Sequence, residues 1–155
     1  MLSVSLTQKV SPFQRTVLDA NVIGPLIAIR EAMKRMSTSA GGAGGAIVNV
    51  SSGAAYVPNN PVLYSVSKGA LNSMMSSLTA PLMMDGVRLN TVSPGATDTD
   101  MVAGMLPEGG IYPTSVIPAG RAGTPMEIAE GICWLLSDAA SYVAGENMRI
   151  AGGRP

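Results

Sequence analysis

Histidine is absent from the 155 residues. That removes the commonest general base near neutral pH and the commonest metal ligand, so proton transfer here has to use another group, and no metal is expected. A single cysteine, Cys133, excludes an intrachain disulfide and a multi-cysteine zinc site, and it suits a reducing compartment. Net charge is missing too. Ten Lys plus Arg balance ten Asp plus Glu, so no field draws in nucleic acid or an anionic membrane surface, and neither is expected as a partner. No apolar run reaches the roughly 18 residues of a membrane span. Met1–Val10 mix Ser, Thr, Gln and Lys with isolated apolar residues and read as neither signal nor anchor, so the cytoplasm is the expected location.

What is present is a 46% hydrophobic share, enough in a chain of this length to enclose one core. One domain is expected over 1–155, with 1–11 irregular. Ser11-Pro12 reads as a helix N-cap with proline in the first turn, and apolar residues recur from Val17 to Met36. A helix over 12–36 follows, bent at Pro25. STSAGGAGG at 37–45 reads as a flexible loop and AIVNV at 46–50 as a buried strand. The pattern continues with a helix over 63–84, its last turn kinked or shortened at Pro81, and a strand over 87–92. A proline-punctuated lid or substrate loop is expected over 93–123. Thr124, Pro125 and Glu127 form a capping box that opens a helix to about 137, and 147–151 makes a last strand before Gly152-Gly153. Strands alternating with helices predict a parallel, three-layer α/β arrangement.

The chemistry-bearing spacing is Tyr64-Ser65-Val66-Ser67-Lys68. Residues four apart stand on one helix face, and an ammonium beside a phenol favours the phenolate, which makes Tyr64 a workable acid/base near neutral pH. Alone the spacing is weak, because Tyr and Lys four apart are common on solvated faces. Ser51-Ser52 directly follow the strand IVNV, and open α/β sheets bind ligands beyond the carboxyl ends of their strands. Ser52 lies twelve residues before Tyr64, room for a loop to bring both hydroxyls to one carbonyl oxygen; Ser51 is the less favoured choice. Ser65 to Lys68 also fits the S-x-x-K pattern of acyl-transfer serines, but the companion S-D-N and K-T-G motifs are missing.

IVNVSS, YSVSK and VRLNTVSPGATDTD, in this order, resemble the second half of the short-chain dehydrogenase/reductase family over residues 12 to 154. The resemblance implies an incomplete Rossmann-like three-layer parallel sheet, because the family's first strands and glycine-rich phosphate turn have no counterpart here. GGAGG at 41–45 is no substitute, since it follows a helix and precedes a strand. By position, Tyr64 resembles the proton donor/acceptor, Lys68 its activator and ribose ligand, Ser52 the group orienting the substrate carbonyl, and Asn21 in DANVIG the fourth catalytic member. Pro94, Gly95, Thr97 and Thr99, with Tyr64 and Lys68, resemble the residues lining the cofactor. The resemblance implies interconversion of an alcohol and a ketone or aldehyde with NAD or NADP, and homo-oligomers formed through helices 12–36 and 63–84. The competing expectation is a truncated, non-catalytic remnant or assembly module that binds no cofactor by itself.

Overall fold

A computed structural model describes residues 11–57, 62–103 and 114–154. The helical segment after Ser11 runs as α1 (Pro12–Leu18), a π-helical turn (Asp19–Ile23) and α2 (Gly24–Met36). Ser11 and Gln14 form the capping box that starts it. The expected bend at Pro25 takes a specific form. Proline brings no N–H to the carbonyl four residues back, that of Asn21, and the ladder widens to a π turn, with Gly24 N–H reaching Asp19 O.

Residues 37–45 are a tight, hydrogen-bonded turn, which corrects the expected flexible loop. Gly42 and Gly44 donate to Ser37 O and Met36 O, and Gly45 to Gly86 O. Gly44 has φ +74°, and a Cβ there would stand 2.4 Å from Gly86 O, so only glycine fits.

β1 (Gly45–Val50), β2 (Val87–Pro94) and β3 (Asn147–Ile150) form a parallel sheet in that order. β2 runs two residues beyond the expected strand. Pro94 is tolerated because Gly95 N–H points to Ile150 O on the β3 side, which turns the proline nitrogen toward the β1 side, where pairing has already ended with Val50 opposite Val92. α3 (Val62–Met84) ends where the sequence places it, with Pro81 inside its last turn. α4 (Asp100–Ala103) is a single turn, and residues 104–113 of the expected lid lie outside the described residues, as do 1–10 of the segment expected to be irregular. α5 (Pro125–Leu136) starts from the predicted Thr124 capping box.

Helices cover both faces of the sheet. On one, Ile29, Met75 and Leu82 pack against Val87 and Leu89; on the other, Ile128 and Leu135 pack against Val92. Arg88, buried in the central strand, donates to Leu135 O and Ser137 O at the end of α5, where the helix dipole favours a cation. No described helix is long and apolar enough to cross a membrane.

Candidate active site

β1 runs directly into Ser51 and Ser52 at the carboxyl end of the sheet. The buried Ser51 hydroxyl donates to Lys68 O at 2.8 Å, tying the strand end to α3. The Ser52 oxygen accepts from Ala54 N–H at 3.1 Å, capping the turn that follows, and no described residue takes its proton. Gly53 then passes the β2 turn so closely that a Cβ would lie 3.2 Å from Pro94 O, which sets the Ser52 segment beside Pro94-Gly95.

Tyr64 and Lys68 lie on successive turns of α3, with Lys68 Nζ 5.8 Å from the Tyr64 ring centroid. The ammonium donates to Val50 O at 2.9 Å, and burial holds its pKa below the ordinary lysine value. Asn21 sits in the π turn, and its amide donates to Ser67 Oγ at 3.0 Å; that hydroxyl donates to Tyr64 O at 2.8 Å. Ser67 is fully buried. Asn21 is thereby a tether, linking the bulged helix to the turn that carries Tyr64.

At the Pro94-Gly95 turn, Gly95 N–H donates to Ile150 O, and proline has no N–H. Gly95 is needed for packing, since a Cβ there would meet Ala151 Cα at 2.8 Å. Thr97 Oγ1 donates to Gly95 O at 3.1 Å and Thr99 Oγ1 to Thr97 O at 3.3 Å, bracing the segment after β2. Thr99 leads into α4.

Two features were not legible in the motifs. Ser67 was passed over, although a serine three residues after Tyr64, on the buried stripe it shares with Leu71 and Met75, was the available signal. Tyr56 had none: its hydroxyl accepts from Asn72 on α3 and Asn147 on β3, and Arg149 lies over its ring at 5.0 Å, strapping the loop after Ser52 across the sheet end.

A three-layer parallel sheet with Ser, Tyr and Lys gathered at its carboxyl end defines a class, the Rossmann-like oxidoreductases. A family model described as enoyl-(acyl carrier protein) reductase matches residues 7–154, and the chain belongs to the short-chain dehydrogenase/reductase family. It is 44% identical over 141 residues to the uncharacterized oxidoreductase YgfF of Escherichia coli, covering 89% of this chain and 57% of that protein. It is 41% identical to a 3alpha-hydroxysteroid dehydrogenase of Mediterraneibacter gnavus, covering 90% and 55%. A solved 4-hydroxyisoleucine dehydrogenase complexed with NADH superposes with a TM-score of 0.78 at 28% identity, covering 93% of this chain and 60% of that one. The chain thus spans a little over half the length of the curated relatives it matches.

Proposed function

We propose that the chain carries the proton-transfer part of an NAD(P)-dependent oxidoreductase that interconverts an alcohol and a ketone or aldehyde. The observation that carries this reading is the half-buried Lys68 ammonium set against the Tyr64 ring, at the sheet end that also holds Ser52. Tyr64 Oη gives its proton to the carbonyl oxygen during reduction and takes it back during oxidation. Lys68 favours the phenolate that this leaves, Ser52 donates its free O–H to the same oxygen, and Asn21 positions the Tyr64 turn through Ser67.

The donor set suits the nicotinamide end of a cofactor. Lys68 keeps N–H groups beyond the one bound to Val50 O, and Tyr64 adds a hydroxyl on the same helix face. These two residues, with the Pro94-Gly95 turn and with Thr97 and Thr99 behind it, would hold that end; the bound cofactor supplies or accepts the hydride. Among the described residues no glycine-rich turn leads from a strand into a helix, so the adenosine end has no evident seat. Binding by this chain alone is accordingly weak, with a Kd in the millimolar range. Calorimetric titration of NADH and NADPH into the full chain, with Lys68→Ala beside it, tests this: the reading expects millimolar binding that weakens in the variant, and binding equal in both chains contradicts it. Among the described residues β1 pairs on one side only, which favours a second reading, an assembly module that needs further polypeptide to hold cofactor.

A further inference from the structure

Tyr64 and Lys68 take their places from α3, whereas Ser52 stands past the end of β1, where a short turn has to fix it. That turn is the 3-10 segment Gly53–Ala55: Ala55 N–H bonds Ser52 O, and the N–H groups of Tyr56 and Val57 both bond Gly53 O. Ser51 anchors the near end, with its N–H on Val92 O and its hydroxyl on Lys68 O. The far end is Tyr56, four residues after Ser52.

Tyr56 is 46% exposed, so core packing does not hold it; polar groups from two other elements do. Met148 and Ile150 pack on the α5 side, so Asn147 and Arg149, which alternate with them on β3, face the α3 side of the sheet. There the Tyr56 hydroxyl meets the Asn147 amide and, at 3.1 Å, the amide of Asn72, one helical turn beyond Lys68. Arg149 covers the ring at 5.0 Å and is itself held by a bond to Arg154 O at 2.8 Å. The oxygens of both amides are buried without a partner, and a half-turn of either amide brings its oxygen to the phenol proton. The Tyr56 hydroxyl is thus the polar partner that both amides share.

We propose that Tyr56 is a positioning residue for Ser52: its hydroxyl straps the Gly53–Ala55 turn to Asn72 and Asn147, and so sets the Ser52 O–H against the Tyr64 phenol. Tyr64, Lys68 and Asn72 lie on successive turns of α3, so the strap fixes the Ser52 turn to the same helix that carries the acid/base pair. A reacting carbonyl oxygen needs both hydroxyls within hydrogen-bond reach at once, and a shift of about 1 Å at Ser52 is enough to break that arrangement. The catalytic consequence rests on the proposed oxidoreductase role; the strap itself does not.

The test follows amide hydrogen exchange and turnover in the full chain and in two variants. Tyr56→Phe keeps the ring under Arg149 and removes the hydroxyl; Asn72→Ala removes the α3 amide and puts a better helix former in its place. Both variants are expected to exchange roughly tenfold faster at Ala54, Ala55 and Val57, with Leu89 and Val92 in β2 unchanged. In carbonyl reduction both should lose about tenfold in kcat, with KM for NADH or NADPH unchanged, and lose nothing further in a Ser52→Ala background. A purely structural role gives equal losses in both backgrounds, and that result overturns the proposal. Unchanged exchange at the turn overturns it too, as does faster exchange shared with β2. If the wild type shows no turnover with cofactor bound, the oxidoreductase reading falls, and exchange at the turn alone decides for or against the strap.

Discussion

Ser67 makes two hydrogen bonds from a fully buried position, accepting from Asn21 and donating to Tyr64 O. Ser67→Ala strands a polar amide and removes the tether, so a loss of about 1–3 kcal/mol is expected by urea unfolding; an unchanged midpoint would mean that the tether does not hold the site. Lys68 makes a different prediction, through pH. Burial lowers its folded pKa below 10.5, so between the folded value and 10.5 the unfolded chain binds more protons. Stability contributed by this group therefore rises with pH across that window and levels off above it. The difference between wild type and Lys68→Met should show this rise in denaturant midpoints measured from pH 8 to 11 (about one point per half unit); parallel curves would contradict it. The proximity of Tyr64 and Lys68 was legible because residues four apart share a helix face, whereas the chemistry assigned to them rests on the family resemblance. Ser67 was not legible, because a serine's role depends on which distant residue reaches it, here Asn21 from another helix.

At the scale of elements, α5 shows how well a cap can be read. Thr124 accepts from Glu127 N–H, and Glu127 reaches back to Thr124 N–H as the capping-box pattern requires. The Arg121 guanidinium, followed by the Thr124 backbone N–H, holds the Glu127 carboxyl at a pKa of about 2, against an ordinary 4.5. Its contribution is present above 4.5 and is lost as pH falls toward 2. Acid titration followed by circular dichroism should show Glu127→Gln losing less helix over that window than wild type; equal loss would place the acid sensitivity elsewhere. The π turn was legible only as a bend, because Pro25 announces a missing N–H while the wider ladder that absorbs it depends on packing against α3. Propensity disfavours Pro81, yet packing of Leu82 against the sheet carries α3 to Met84, the end that the apolar pattern predicts.

At the scale of the whole molecule, alternation of strand and helix was enough to predict a parallel sheet, because a parallel crossover needs a helix to return the chain. Strand order follows from pairing, which no local pattern encodes. Tyr64, Lys68 and Ser52 stand at one end of the sheet, so the competence of that proposed site is the central claim. Its most direct test is carbonyl reduction by the full chain at saturating, millimolar NADH or NADPH across a panel of ketones and aldehydes, with wild type and Tyr64→Phe compared at matched folding by circular dichroism. The account predicts turnover in the wild type that falls by about 100-fold or more in Tyr64→Phe, the contribution of one positioned acid/base. Turnover that survives the loss of the phenol, or no turnover at all with cofactor bound, would contradict it.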